Sequence, residues 1–181
     1  MKVAFKTIIV FIIGTLWFYS KVQAGPEWQR LSPPDPALFT VKMPGKPERQ
    51  GDKSEWRAMD EKQRIYSVGC GLYAEPKITD PGAFIQKMAG VLAKNTGSRI
   101  AYLWDMHQQG APSCEFKLVN TQNQVTTVMR YFLVEQKFFF LSYTTTIRDF
   151  DMARMEQFFN SFELLPLALK DLTKQQDKPI P

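Results

Sequence analysis

The chain has 181 residues, of which 44% are hydrophobic and 13% aromatic, and its net charge is +5. This length is typical of one domain with its own core. Three cations, Lys2, Lys6 and Lys21, lie within residues 1–24, so the remaining 157 residues carry a net charge of only +2. A charge this small, without a clustered basic stripe, argues against nucleic-acid binding.

The first 24 residues have the pattern of a signal peptide. Lys2 and Lys6 precede an apolar run over residues 7–19, and small residues then predict cleavage between Ala24 and Gly25. The run is shorter than the ~20 residues that a helix needs to cross a bilayer. We therefore expect a periplasmic or secreted protein. Retention of the segment as an inner-membrane anchor is the alternative.

Extended segments are predicted at the start of the mature chain. Residues 25–37 are rich in proline and are expected to form an extended lead-in. Residues 38–43 alternate between apolar and polar, which favours a strand, and 44–47 (PGKP) supply a turn. Further strands are predicted at 55–59 and 64–70.

A helix is predicted over about residues 80–95. Asp80 is a typical N-cap, Pro81 suits the first helical position, and Gly97 is placed to end the helix. The apolar residues at helical spacing predict one buried face. They are Phe84, Met88, Val91 and Leu92.

Four strands are predicted after this helix, at residues 99–107, 113–119, 125–134 and 138–146. The last two are apolar at consecutive positions in the segments 131–134 and 138–141. A strand with only one covered face would alternate at these positions. We therefore expect both faces of the sheet to be covered, by helices or other layers.

A second helix, capped by Asp149 or Asp151, is predicted to run to about Phe162. Its predicted apolar face consists of Met152, Met155, Phe159 and Phe162. A short apolar segment follows at 162–165, and residues 166–181 are expected to form a polar tail.

The element order β-β-β-α-β-β-β-β-α-β predicts one α+β domain over residues 38–165. Its sheet is expected to be mainly antiparallel and packed between helices on both faces. Residues 39–47, the strand around Tyr66, the hairpin and residues 158–164 (FFNSFEL) resemble the PsbP-like superfamily of small secreted domains. The resemblance spans about residues 28–165 and implies an antiparallel sheet sandwiched between helices. The superfamily is named after a lumenal subunit of photosystem II. The resemblance implies no site residues, since the partner-binding motifs of that subunit have no counterpart here.

Two cysteines, Cys70 and Cys114, occur in the whole chain. In an exported protein an even number of cysteines favours a disulfide, so a bridge between these two is predicted. Two buried free thiols are the alternative, because cysteine also packs as a small apolar residue.

Candidate catalytic chemistry is limited to His107, the only histidine. It shares a predicted strand face with Asp105, so the two are weak candidates for an acid/base couple, and a polar strand end is the alternative. One histidine and two separated cysteines do not supply the four ligands of a typical structural zinc site. No catalytic residue, cofactor or metal is therefore predicted.

The function predicted from these features is that of an exported, non-enzymatic domain that binds or supports an envelope component. Its partner would be an envelope protein or a membrane surface, and no oligomeric state is indicated. A cationic group has two interpretations, a contact for an anionic surface or a solvated loop. It comprises Lys46, Arg49, Lys53 and Arg57. The alternative functions are a hydrolase or thiol enzyme that uses His107, and a membrane-anchored accessory protein.

Overall fold

The computed structural model of the protein describes residues 27–33, 38–50, 54–72, 78, 80–134, 137–166 and 168. The signal peptide predicted over residues 1–24 and its cleavage site between Ala24 and Gly25 lie outside these residues. The polar tail beyond residue 168 does as well.

Ten strands and two helices are assigned within the described residues. The strands before the first helix are β1 (Trp28–Leu31), β2 (Phe39–Pro44), β3 (Glu48–Arg49), β4 (Glu55–Met59) and β5 (Ile65–Leu72). The remaining elements are α1 (Pro81–Thr96), β6 (Arg99–Gln108), β7 (Ala111–Asn120), β8 (Val125–Val134), β9 (Lys137–Thr146), α2 (Met152–Asn160) and β10 (Glu163–Leu164). Neither helix is long and apolar enough to cross a membrane.

The strands form two antiparallel sheets. The larger has seven strands in the order β3-β4-β5-β9-β8-β7-β6, and the smaller has the order β1-β2-β10. The α+β class with a mainly antiparallel sheet is thus confirmed. The sequence did not predict β3 or a separate small sheet, because strands of two to four residues are too short to show a hydrophobic period.

The first helix begins and ends at the predicted residues, but its buried face is partly different. The Ala83 amide donates to the Asp80 side chain at 3.0 Å, and Gly97 has a left-handed φ of 61°. The residues that α1 buries are Ile85, Ala89 and Ala93, whereas Val91 is 47% exposed. A search for large apolar residues overlooks such a face, because alanine adds little to a hydrophobic pattern.

The second helix is shorter than predicted, and Asp151 rather than Asp149 is its N-cap. The Asp151 side chain accepts a hydrogen bond from the Arg154 amide at 3.1 Å, while Asp149 accepts one from the Thr146 hydroxyl at 2.6 Å. Met152 was assigned to the buried face but is 60% exposed. The residues that α2 buries are Met155, Phe158 and Phe159.

The end of β8 is buried at consecutive positions, as predicted, whereas in β9 buried residues alternate with half-buried ones such as Phe138 and Phe140. All four residues of 131–134 in β8 are buried. Because successive strand residues point to opposite faces, they enter two clusters. Tyr131 and Leu133 join a cluster that contains the buried residues of α1, and Phe132 and Val134 join one that contains those of α2.

Two glycines of β5 make room for aromatic rings of the neighbouring strand β9. Gly69 pairs with Phe140 and Gly71 with Phe138. A Cβ atom at Gly69 would lie 2.6 Å from the Phe140 ring and 2.9 Å from the Ser54 carbonyl oxygen. At Gly71 it would lie 2.5 Å from the Phe138 ring. The two rings therefore cover strand β5 where it has no side chains.

We expect Gly69→Ala to lower the free energy of unfolding by about 1–3 kcal/mol, because the added methyl group meets both a ring and a backbone oxygen. Gly90→Ala on α1 is the matched control, since a Cβ atom there meets nothing within 4 Å. It is expected to stabilise the protein by about 0.5–1 kcal/mol through helix propensity. Urea unfolding of the two variants measures both effects. Equal stability of the two variants would contradict this packing.

Candidate functional site

A cavity of about 710 Å³ lies between the two sheets, at the end of the large sheet where β5 finishes and β9 begins. Pro33, Leu38 and Phe39 line it from the small sheet and the segments beside it. We call this space the inter-sheet cavity. Its volume is within the ~300–1,000 Å³ range of pockets that hold small molecules.

The large sheet contributes the other wall of the inter-sheet cavity through residues that alternate along neighbouring strands. Trp56 pairs with Val68, and Leu72 pairs with Lys137, so β4, β5 and β9 place side chains on one face. Cys70 lies between these two rows and also lines the cavity. Leu72 is 76% exposed and lines the cavity, which places it at the mouth.

An arginine and a tryptophan are held together at one side of the cavity. Arg49 and Trp56 are register partners of β3 and β4, and the guanidinium carbon lies 5.9 Å from the centre of the indole ring. This is a cation–π contact. The edge of the Trp56 ring also meets Phe39, with 6.1 Å between ring centres. These contacts hold the positive charge of Arg49 beside the aromatic ring of Trp56.

Cys70 is the thiol that faces the cavity. Burial raises the pKa of Cys70, although a hydrogen bond with the Ser54 side chain acts in the opposite direction. The group is therefore a neutral thiol at pH 7 rather than an activated nucleophile. Because Cys70 lines the cavity, the reactivity of its thiol should change when a ligand occupies the cavity.

The predicted disulfide between Cys70 and Cys114 is not formed in this structure, and both thiols are free. They lie on β5 and β7, which are separated by β9 and β8, and three strand spacings amount to roughly 14 Å. Their side chains also pack with different core clusters. A disulfide needs Cα atoms within about 7 Å, so the cysteine count alone was misleading.

His107 and Asp105, the weak candidates for an acid/base couple, lie near the end of β6. Both are exposed on β6 and line a smaller cavity of about 250 Å³ with Pro81 and Ile85, but no hydrogen bond joins them. Asp105 lies instead beside the buried Cys114. Burial and the Asp105 charge raise the pKa of Cys114 to about 11, so this thiol is also protonated at neutral pH.

A buried ion pair on the large sheet was not predicted from the sequence. Arg130 donates to Glu115 Oε2 at 2.7 and 3.1 Å, and it donates to the Gln108 side chain at 3.1 Å. The Tyr102 hydroxyl donates to the other Glu115 oxygen at 3.0 Å. The guanidinium carbon lies 4.9 Å from the Phe159 ring centre. Since Glu115 uses both oxygens within the network, we assign it a structural role.

A second charged network joins the turn after β4 to the start of α2. Arg64 contacts Asp60 at 2.7 Å and Asp151 at 2.9 Å, and the Tyr66 hydroxyl donates to Asp60 at 3.0 Å. Burial first, and then the Asp60 charge, raise the pKa of Tyr66. The network fixes the N-cap of α2 to the large sheet, which again is a structural role.

Neither network holds a metal site. Among the described residues no group of three or more His, Cys, Asp or Glu side chains is arranged to bind a metal ion. The residues of the cationic group that the sequence indicated have different surroundings in the structure. Arg49 lines the inter-sheet cavity, Arg57 pairs with Glu55 at 3.2 Å, and Lys53 lies outside the described residues.

The sequence therefore named one residue of the inter-sheet cavity, Arg49, for its charge, and one, Cys70, for a bridge that is not formed. It missed Trp56, Leu72 and Lys137, because the cavity depends on how the small sheet packs over the large one. The one residue whose sequence context could have indicated the cavity was Leu72, an apolar residue that follows two glycines at the end of a buried strand.

No family model and no curated protein matches the sequence. The structure is similar to that of cyanobacterial PsbP from a Synechocystis species, with a TM-score of 0.58 and 10% identity over 76% of this chain and 92% of that chain. The protein has a PsbP-like fold.

Two further structures are less similar to this PsbP-like chain. A Bacteroides thetaiotaomicron protein has a TM-score of 0.44 and 11% identity over 76% of this chain and 48% of its own. A Pseudomonas aeruginosa protein of unknown function has a TM-score of 0.40 and 9% identity over 86% of this chain and 97% of its own.

Asp151 makes the stability of the PsbP-like domain depend on pH. Partial burial acts to raise the pKa of Asp151, but the Arg154 amide and the Arg64 charge outweigh it and lower the pKa below its usual value. A carboxylate of this kind contributes stability above its unfolded pKa of ~3.9, and the contribution is lost as pH falls through the lower folded value.

Asp151→Asn keeps an N-cap oxygen but removes the charge. We expect it to lower the free energy of unfolding at pH 7 by no more than about 1 kcal/mol, since solvent screens a side chain that is 38% exposed. The difference from the wild type should shrink as the pH is lowered through about 4 towards 2. Urea unfolding at several pH values measures it, with Asp149→Asn as the control. A difference that does not change with pH would contradict the role of the charge.

Proposed function

We propose that the protein is an exported, non-enzymatic domain that binds an envelope component in the inter-sheet cavity. The observation that carries the proposal is the cavity itself, whose walls are mainly apolar and aromatic side chains such as Phe39, Trp56 and Leu72. Concave sites lined in this way with a few polar groups are typical of ligand binding.

The chemistry of the described residues supports binding rather than catalysis. The thiols of Cys70 and Cys114 are protonated at neutral pH because burial raises their pKa. The buried carboxylates Asp60 and Glu115 are each engaged by arginine and tyrosine. The carboxylates hold the fold together, and a protonated thiol is a poor nucleophile.

Export is part of the proposal and rests on the sequence of residues 1–24. Their order of basic, apolar and small residues is that of a cleaved signal peptide, which would release a periplasmic or secreted domain. The PsbP-like fold agrees with this, since the superfamily that the sequence resembles consists of small secreted domains. An uncleaved segment would give a membrane-anchored form of the same binding domain.

The proposed arrangement also places α1 over one face of the large sheet and α2 with the small sheet over the other. It is supported by the two core clusters, of which one contains Ile85, Ala89 and Ala93 and the other Met155, Phe158 and Phe159. In this arrangement the small sheet is the layer that closes the inter-sheet cavity.

Binding of the uncharged fluorescent dye Nile red to the mature protein tests this proposal. We expect blue-shifted emission from a saturable site. Cys70→Phe, which fills the cavity, is expected to weaken binding at least tenfold. Leu72→Glu, at the exposed mouth, is a second variant that spares the core, and it is expected to weaken binding as well. His107→Ala is the control and should bind the dye like the wild type.

The opposite pattern would contradict the proposal. If Cys70→Phe and Leu72→Glu bind the dye normally while His107→Ala loses binding, the functional site lies at the end of β6 and the enzyme alternative gains support.

A further inference from the structure

We propose that the outer edge of β6 binds an extended segment of another protein, which adds one strand to the large sheet and has an apolar–basic–apolar sequence. This edge is separate from the inter-sheet cavity, so its role is independent of the proposed function. Three features support it: the open edge of a long strand, an exposed tryptophan, and two carboxylates without a cationic partner.

The two edges of the large sheet differ in their capacity to pair with a further strand. At one edge, β3 consists of Glu48 and Arg49, and such short, charged edge strands discourage pairing. At the other edge, β6 has ten residues and, within the described part of the chain, pairs only with β7. A bulge lies between Ile100 and Tyr102, after which the register with β7 is regular. The segment 102–108 is therefore available for pairing and is as long as a typical strand.

Trp104 is an immobilised aromatic side chain on this open strand. It is 59% exposed and stacks on Tyr102, with 4.3 Å between the ring centres and 17° between the ring planes. The Tyr102 hydroxyl is in turn held by Glu115 at 3.0 Å. Tryptophan is enriched among the residues that dominate binding energy, and a ring that is already held loses little freedom on binding. An apolar side chain of an added strand would pack beside it.

Two carboxylates from different elements converge on the other face of β6. Asp105 follows Trp104 and therefore points to the opposite face. A Cβ atom at Gly82 on α1 would lie 3.5 Å from Asp80 Oδ1 and 4.0 Å from Asp105 Oδ2. Among the described residues, no lysine or arginine forms an ion pair with either carboxylate. The neighbouring Cys114 thiol has a pKa of about 11 and is neutral, so it does not compensate their charge.

The smaller cavity of about 250 Å³ lies beside these carboxylates. Its walls include Pro81, Ile85 and Pro112, together with Asp105. The volume is below the ~300–1,000 Å³ of pockets that hold whole small molecules, and it suits a single side chain. Lysine and arginine pack an apolar stem along apolar surface and keep the charged end in a polar environment. The cavity and the carboxylates together therefore favour one basic side chain.

The alternation of faces sets the sequence of the added strand. Its residue opposite Asp105 points towards the carboxylates and is basic, and the residues before and after it point towards Trp104 and Met106 and are apolar. Backbone hydrogen bonds then give affinity, and these three side chains give selectivity. A second copy of β6 does not have this pattern, because its only lysine or arginine, Arg99, precedes the bulge.

A synthetic peptide with this pattern, Ser-Val-Thr-Val-Lys-Val-Thr-Val-Ser, tests the role of charge. Fluorescence anisotropy of the labelled peptide measures its binding to the mature protein. We expect it to bind at least about tenfold more tightly than the same peptide with glutamate in place of lysine, because Asp80 and Asp105 repel a glutamate. Equal binding of the two peptides would overturn the basic position of the sequence.

Two methylated forms of the lysine peptide test strand pairing. Only alternate N–H groups of an added strand point towards its neighbour. One form has N-methyl groups on the two valines next to the lysine, and the other has them on the two threonines. We expect one form to lose binding at least about tenfold and the other to bind like the parent peptide. Equal effects of the two methylations would overturn strand pairing.

Exposed residues of β6 are replaced to locate the peptide. We expect Trp104→Ala to weaken binding of the lysine peptide about tenfold. Asp105→Asn is expected to weaken it about fivefold and to reduce the preference for lysine over glutamate. The matched controls are on α2: Met152→Ala removes an apolar side chain that is 60% exposed, and Glu156→Gln removes an exposed acid. Both controls should bind the peptide like the wild type.

The remaining results decide against the site on β6. Absence of lysine-peptide binding up to about 1 mM, or normal binding by Trp104→Ala, would show that this edge does not bind such a segment. The inter-sheet cavity would be unaffected by that result. Sedimentation equilibrium without peptide tests the second copy as occupant, and we expect a monomer. A dimer that Trp104→Ala converts to a monomer would show that β6 pairs with itself and would overturn the proposed partner.

Discussion

The structure depends on the burial of both faces of β8 over residues 130–134. Tyr131 and Phe132 are neighbours in sequence, point to opposite sides of the sheet, and are both buried. Such a sheet is stable only where other layers remove both faces from water. Helix α1 packs with one cluster, and α2 packs with the other together with β2 of the small sheet. The two sides of β8 therefore belong to different clusters, and one of these clusters includes residues of the small sheet.

The buried charged side chains meet a related requirement, because a charge that is removed from water must be paired. Asp60, Arg64, Glu115 and Arg130 lie at the borders of the apolar clusters, where an unpaired charge would be costly, and each is paired and hydrogen-bonded within the protein. Strong polar contacts are thus used to connect layers, as when Arg64 joins the turn after β4 to the N-cap of α2.

The parts of this fold that follow local rules were predictable from sequence. Asp80 and Gly97 bounded the first helix correctly, and β8 was predicted over its full length, because caps and long apolar runs act within one element. The buried face of α1 was misassigned because Ala89 and Ala93 carry little hydrophobic signal. The disulfide was wrong because the sequence does not show that three strand spacings and a change of face separate Cys70 from Cys114. The inter-sheet cavity was missed for a related reason: the short strands β1 and β10 leave no periodic pattern, and their pairing with β2 creates the second layer.

Hydroxyl-radical footprinting of the native protein tests the two-faced burial most directly. The account predicts that Tyr131 and Phe132 are both strongly protected, whereas Trp104, which is 59% exposed on β6, reacts rapidly. If Tyr131 reacted about as fast as Trp104 while Phe132 stayed protected, one face of the large sheet would be in contact with water. The account of the core, and of the layers that bound the cavity, would then be wrong.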